Sequence, residues 1–204
     1  TTGKFEGGVK STNRNYDNTQ DFFNSAPSNE GYTFNALRSD RVKFNEQVAA
    51  VYSMYTGKWK KFDYNAGLRA EETFTNIESE QSGTPIKRNY ISLFPSTFLK
   101  YTAGTNEFQL NFSRRINRPD QRALNPFTDY TDSLNIRRGN PYLNPEYVNS
   151  FEFNYVKTIK AFNLSTSLYY RHPNDLISRF RTVDPLTGVA TMTQVNFSSS
   201  ENYG

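Results

Sequence analysis

The sequence predicts an all-β protein, an antiparallel up-and-down barrel that crosses a membrane, and three observations predict it. Segments of about ten to fourteen residues alternate apolar with polar side chains, where strands of soluble sheets run ~5–6 residues and a tilted transmembrane strand needs ~9–11. The links between segments run long, short, long, short, so one end of the sheet has tight turns and the other large loops. Aromatic residues make up 16% of the 204 residues and gather beside the short links.

Composition narrows the function classes. Cysteine is absent and His172 is the single histidine, so there is no disulfide or thiolate, and material for a histidine metal centre or a Ser-His-Asp triad is lacking. Neither a catalytic site nor a cofactor is expected. The net charge of +4 is spread among interspersed Asp and Glu, unlike the concentrated basic face of a nucleic-acid binder. No run approaches the ~18 apolar residues of a membrane helix. A mean hydropathy of −0.78 is nevertheless compatible with barrel strands, whose alternation averages out. The chain opens at Thr1 without a charged or apolar leader and reads as an excerpt of a mature protein.

The elements follow in order. Residues 3–12 alternate weakly, with Phe5, Gly7 and Val9 on one side, and 13–42 read as a long Asn-, Asp- and Ser-rich loop. The second strand, 43–56, sets Phe44, Val48, Ala50, Tyr52 and Met54 on one face, with Val51 and Tyr55 on the other. The third is cleaner: Phe62, Tyr64, Ala66, Leu68 and Ala70 alternate with Asp63, Asn65, Gly67, Arg69 and Glu71. A polar link, 75–87, leads to a fourth strand, 88–101, whose Pro95 should mark relaxed ladder bonding. The fifth carries Phe108, Leu110 and Phe112. The sixth carries Tyr147, Phe151, Phe153 and Tyr155, and the seventh Phe162, Leu164 and Leu168, continuing irregularly past His172-Pro173. A turn at Asp184–Gly188 returns the chain as an eighth strand, 189–197.

The apolar faces are expected to meet lipid, and the polar faces, with Asp63, Arg69, Glu71, Arg115, Glu152 and Arg171, to line the lumen. Tyr55, Trp59, Phe62, Tyr101, Phe108, Tyr155 and Phe162 flank the short turns and are expected to form an interfacial girdle. A soluble β-sandwich adhesin or binding module is the alternative that periodicity leaves open.

Between the fifth and sixth strands lies a link of about thirty residues, long enough to be either functional or disordered. It reads Ser113-Arg114-Arg115-Ile116-Asn117-Arg118-Pro119, then Leu124-Asn125-Pro126-Phe127, then Gly139-Asn140-Pro141-Tyr142-Leu143-Asn144-Pro145-Glu146-Tyr147. Asn125, Asn140 and Asn144 each precede a proline, which restricts both residues of the pair. An ordered loop without regular secondary structure is expected, launching the sixth strand at Glu146. Arg118, Arg122, Arg137 and Arg138, with Tyr130, are candidate contacts for an anionic ligand or for lipopolysaccharide phosphates. The opposing expectation is internal pairing with Asp120, Asp129, Asp132 and Glu146.

These residues, with Ala66-Gly67-Leu68-Arg69-Ala70-Glu71 and Leu93-Phe94-Pro95-Ser96, resemble the barrel of TonB-dependent outer-membrane receptors, especially the Bacteroidota type. The resemblance spans roughly residues 40–204, and Asn-Pro-x-Leu-x-Pro-Glu is its most specific part; position 144, often lysine there, is Asn here. It implies about eight strands of a 22-stranded barrel with a plugged lumen, in the outer membrane of a Gram-negative bacterium of the Bacteroidota. It also implies uptake of a scarce nutrient such as a siderophore, glycan or peptide, driven by TonB through a plug that this sequence does not contain. Outer-membrane lipid, lipopolysaccharide and a surface lipoprotein or other complex subunit are the implied partners. The alternative is a receptor-like barrel serving as a structural or assembly subunit.

Overall fold

The computed structural model describes residues 2–25 and 31–204. Its elements are β1 (Thr2–Gln20), β2 (Phe23–Ser25), β3 (Tyr32–Phe34), a 3-10 turn (Ala36–Arg38), β4 (Asp40–Trp59), β5 (Phe62–Ser79), β6 (Ile86–Ala103) and β7 (Asn106–Asn117). There follow α1 (Gln121–Leu124), β8 (Thr128–Asp129), β9 (Asn135–Arg138), β10 (Glu146–Ile159), β11 (Phe162–Val183), β12 (Ala190–Ser199) and β13 (Asn202–Tyr203). The long strands β1, β4, β5, β6, β7, β10, β11 and β12 neighbour one another in sequence order, each pair antiparallel, in one sheet. One sheet, rather than two packed face to face, removes the sandwich alternative.

Alternating link length is present. At one end the links are Lys60-Lys61, Gly104-Thr105 and Lys160-Ala161, and the first residue of each has positive φ, 55°, 62° and 51°. Positive φ at this position matches the right-handed twist of the flanking strands, but it strains a residue with a side chain. Replacing Lys60 or Lys160 by Gly is expected to stabilise the folded protein by about 0.5–1 kcal/mol each, the relieved strain exceeding the extra chain entropy. Urea titration in detergent checks this, and a lowered midpoint would contradict it.

At the other end the links are 21–39, 80–85, 118–145 and 184–189. Two of them differ from the expectation. The polar run after Thr12 is strand as far as Gln20, because Asn13 to Gln20 pair with Gln47 to Asp40; cross-strand partners override weak local propensity. Only 21–39 is loop, and it contains the β2–β3 hairpin; residues 26–30 of the expected loop lie outside the described residues. Likewise Asn76 to Ser79 belong to β5, opposite Asn45 to Val42.

Register assigns every side chain to a face, because cross-strand partners share one. Asp63, Arg69, Glu71, Thr73 and Ile77 of β5 share theirs with Val42, Phe44, Glu46, Val48 and Ala50 of β4 and with Phe94 and Ser92 of β6. Residues from opposite ends of the sheet, Asn18 and Gln20 of β1 and Met192 and Gln194 of β12, line one cavity with the 118–145 loop. The sheet therefore curls around this face, making it the concave side. The opposite, outward face exposes Phe5, Val9, Val51, Leu68, Ile91, Leu93, Leu110, Phe151, Leu164 and Leu168. This corrects the expectation for the second strand. Phe44, Val48, Ala50, Tyr52 and Met54 point inward, and Phe44 lies in a buried cluster with Val42, Ile77, Ala123, Leu124, Phe127 and Leu143. Val42 and Phe44 are apolar because the long loop covers the inner wall at that end, whereas Tyr52 stays exposed further down it.

The two strand prolines act through their missing donors. Pairing of β6 with β7 stops at Ser96↔Ser113, next to Pro95, and the strands part above it. Opposite Pro173, Ser200 donates to the Pro173 carbonyl at 3.2 Å, but proline has no N–H to return the bond. The pairing breaks at residues 200–201 before β13 resumes the same register with Tyr170↔Tyr203.

Candidate functional site

The 118–145 loop is built from its Asn-Pro steps. Asn125 Oδ1 accepts from the Phe127 N–H at 2.9 Å, and Asn140 Oδ1 accepts from the Tyr142 N–H at 3.0 Å. Each asparagine thus spans a proline that cannot donate, forming an Asx turn. Asp120 caps α1 through the Ala123 N–H at 2.7 Å. Gly139 passes so close to the carbonyl oxygens of Arg122, Ala123 and Asn125 that any Cβ would collide. Leu143, 1% exposed, anchors the loop in the core. Asn144 is held by Asn196 of β12, which donates to its carbonyl at 3.0 Å and accepts from its N–H at 2.8 Å. Across the split above Pro95, Arg88 of β6 donates to the Leu143 carbonyl and to Asn144 Oδ1.

The loop is ordered and β10 starts at Glu146 as expected, but it does contain secondary structure. β9 pairs in parallel with β12, Asn135 to Arg137 beside Ala190 to Met192, and with β8. Among the described residues no loop arginine forms an ion pair with a loop acid, although Arg137 stands opposite Asp129 in the β8–β9 ladder. Asp129 accepts from the N–H and hydroxyl of Thr131, and those bonds, with Gln20 and Arg137 nearby, hold its carboxyl below the usual range. Asp132 is similarly lowered by Asn135 and the Leu134 amide, with the Arg137 charge adding to them, while Glu146 accepts from Asn117.

Arg118 turns inward instead. It forms an ion pair with Glu71 of β5 at 2.5 Å and donates to Thr73 Oγ1 at 3.1 Å. Burial opposes the guanidinium charge, yet the Glu71 carboxylate and the Tyr90 side chain together outweigh it and leave Arg118 above the usual arginine pKa. Glu71 also meets Arg69 at 2.5 Å; Glu72, its sequence neighbour, lies on the other face.

Arg122, Arg137 and Arg138 border one cavity, although Arg137 and Arg138 are successive residues of β9 with side chains on opposite faces. With Arg179 of β11 they line a cavity of about 610 Å³, whose acids are Asp120 and Asp129. Among the described residues none of these four arginines forms an ion pair with a carboxylate. Arg179 was not singled out in the sequence, because nothing local to β11 shows that it faces the loop. Tyr130 lies apart from the cavity: the Arg38 guanidinium sits between the Tyr130 ring, 5.0 Å from its centroid, and the Phe22 ring, 5.2 Å away, tying together the two large loops.

The remaining candidates divide between the two faces of the sheet. Asp63, Arg69, Glu71, Arg115, Glu152 and Arg171 share the concave face by register. Asp63 meets Lys58 and Lys100, each at 3.3 Å, and Glu152 meets Arg171 at 3.4 Å. On the outward face Trp59, Phe62, Tyr101, Phe108 and Tyr155 form a row with successive centroid distances of 6.2, 4.8, 6.3 and 5.1 Å. Tyr55 lies on the same face against Tyr64, and Phe162 opens β11 opposite Ile159. Among the described residues no group of His, Cys, Asp and Glu has the makings of a metal site, and no helix is long and apolar enough to cross a membrane.

Comparison with known proteins adds a family and a fold. The model of an outer membrane protein beta-barrel family matches residues 1–204, whereas no curated protein matches in sequence. In structure the chain is similar to the Serratia marcescens hemophore receptor HasR, solved with its hemophore HasA and heme (TM-score 0.66, 11% identity, 98% of this chain and 39% of that one). It is also similar to the copper transporter OprC (0.65, 13%, 95% and 30%) and to the siderophore receptor PirA of Pseudomonas aeruginosa (0.53, 12%, 97% and 46%). The chain thus spans less than half the length of these structures.

Proposed function

The chain belongs to the outer membrane protein beta-barrel family, and from that premise we propose that it forms part of a TonB-dependent import barrel, of the Bacteroidota type, that captures an anionic nutrient complex at its outer mouth. The observation that carries this reading is the cavity lined by Arg122, Arg137, Arg138 and Arg179 at the large-loop end of the concave face. Four arginines against two acids among its lining residues leave an excess of positive charge there, and a guanidinium fork suits carboxylate or phosphate oxygens. Core packing of α1, Phe127 and Leu143 holds the cradle in place before a ligand arrives, which lowers the ordering cost of binding.

On this reading the concave polar residues line the lumen and the row from Trp59 to Tyr155 is the periplasmic aromatic girdle, with rings at the lipid–water boundary. The fold similarity to receptors and a transporter supports an uptake barrel in general terms. The acidic partners of Arg118 and Arg69 make those two arginines part of the wall rather than of the cradle.

The test uses the full-length protein in its outer membrane, with ferric citrate as the first probe of a panel of anionic iron complexes. Uptake that depends on TonB is expected, and Arg137→Ala/Arg138→Ala should lower the affinity at least about tenfold, the loss of one or more charge-assisted bonds. Uptake of no anionic complex, or equal uptake by the variant, contradicts the cradle. TonB-independent uptake contradicts the energised reading.

A further inference from the structure

We propose that the barrel wall carries a lateral portal between β6 and β7, through which a single-chain amphiphile with a carboxylate head, a long-chain fatty acid, passes between the outer leaflet and the lumen. This rests on the barrel spanning the outer membrane and is independent of the arginine cradle. The two strands pair from Ala103↔Asn106 only as far as Ser96↔Ser113. Above that level β6 continues to Ile86 along β5, and β7 continues to Asn117 along β10, so each turns an unpaired edge towards the other. The break falls at Pro95, whose nitrogen has no hydrogen to donate.

Strand geometry sets the depth of the parting. On β11 the outward side chains run Phe162, Leu164, Thr166, Leu168 and Tyr170 before reaching His172, ten residues above Phe162. At ~3.3 Å per residue and a tilt of about 40°, ten residues rise about 25 Å, which is the height of an outer-membrane apolar band. On β6 Pro95 stands six residues above the girdle residue Tyr101, about 15 Å up by the same rise. Short turns face the periplasm in such barrels, so the parting begins near the middle of the bilayer and opens into the outer leaflet. The outward residues of β6 beside it, Leu93 and Ile91, are 51% and 71% exposed. Unpaired backbone does not face hydrocarbon; at membrane depth it occurs where protein covers it or where it lines a polar passage.

The parting goes through the wall. Register puts Tyr147 of β10 on the outward side and Ser92 of β6 on the concave side, where Ser92 is 3% exposed, yet their hydroxyls meet at 2.6 Å. The tyrosine ring thus reaches from one face to the other, which a continuous ladder would forbid, and the Arg114 guanidinium holds it there, 4.7 Å from its centroid. Beside the last rung of the ladder, a cavity of about 220 Å³ is lined by the outward pair Thr97 and Phe112 and by Ser113, Arg115, Ser150 and Glu152 of the concave face. One end of it borders lipid and the other presents polar groups. Glu152 meets Arg171, whereas Arg115 makes no ion pair among the described residues, so the charge left for a ligand is positive. A carboxylate suits that fork, and its acyl chain can lie in the outer leaflet along Leu93 and Ile91. The cavity is too small for the headgroup and two chains of a phospholipid.

The full-length protein in phosphatidylcholine vesicles is labelled with palmitate bearing a photoreactive diazirine on its chain, and the modified residues are identified by mass spectrometry. Label is expected to gather on Leu93, Phe112 and Tyr147, which border the parting, and unlabelled palmitate should displace it about tenfold more readily than hexadecanol, the worth of one charge-assisted fork. Arg115→Gln should erase that difference. Tyr147→Phe, which loses only the bridge to Ser92, should raise the labelling rate about fivefold, the worth of one hydrogen bond. Thr97→Trp, which fills the cavity from its outward side, should abolish labelling at the parting, while Leu164→Trp on the outward face of β11 should leave it unchanged. Label spread evenly over the outward face, equal displacement by hexadecanol, an unchanged rate in Tyr147→Phe or undiminished labelling in Thr97→Trp overturns the portal. Should Thr97→Trp fail to fold, Arg115→Gln, at an exposed position of the concave face, decides: an unchanged preference for palmitate overturns the proposal.

Discussion

Leu168→Arg is expected to destabilise the full-length protein by about 2–4 kcal/mol, whereas Ser167→Arg, its neighbour on the same strand, should cost about 1 kcal/mol or less. Leu168 lies on the outward face of β11, 57% exposed, six residues above Phe162 and four below His172, near the middle of the apolar band. An exposed leucine would be unremarkable alone, but here it belongs to a continuous face with Leu164, Phe153, Leu110 and Phe151 that none of the described elements covers. In lipid an arginine at that depth must drag water inward or bend its side chain to the interface. Ser167 pairs with Asn154 on the concave face, where its hydroxyl donates to the side-chain Oδ1 of Asn154 at 2.6 Å, and a long cation there finds polar neighbours. Urea titration of both variants in lipid vesicles checks this, and equal costs would contradict a lipid-facing outer wall.

That contrast between adjacent residues was legible because β11 keeps a strict two-residue alternation. So was the alternation of short and long links, since a two-residue turn between long strands leaves a local signature. What escaped the sequence depended on distant partners. Phe44 and Val48 alternate correctly, but whether their face meets lipid or a loop is decided by α1 and Leu143, some eighty to a hundred residues downstream. β9 exists because Ala190 to Met192 offer an unpaired edge to Asn135 to Arg137, and nothing in Asn-Ile-Arg-Arg alone announces a parallel partner. The same cause hid half of the candidate site. Arg122, Arg137 and Arg138 stand out in a loop, while Arg179 becomes their neighbour only when the sheet curls, and Arg118 leaves the group because Glu71 waits on the wall.

Glu71→Ala should in turn cost about 3 kcal/mol and loosen the loop. Glu71 is 6% exposed at its side chain and Arg118 18%, so deleting the carboxylate leaves a largely buried guanidinium with the neutral hydroxyls of Thr73 and Tyr90 as its remaining partners, a loss in the range measured for broken buried pairs. Arg69 is 37% exposed and can turn to water, so it adds little. The pair need not be a net source of stability, because two charges taken out of water lose most of what their attraction returns. Glu71→Leu/Arg118→Met, which removes both charges at similar volume, is therefore expected to recover to within about 1 kcal/mol of the native protein. The two variants separate what the pair contributes to stability from what it specifies. Limited proteolysis of the 118–145 loop should be faster in Glu71→Ala, and if the double variant folds stably but is cleaved as readily, the ion pair sets the loop's position rather than its stability. A double variant no more stable than Glu71→Ala would show that the loss came from packing around residue 71 and not from a stranded charge.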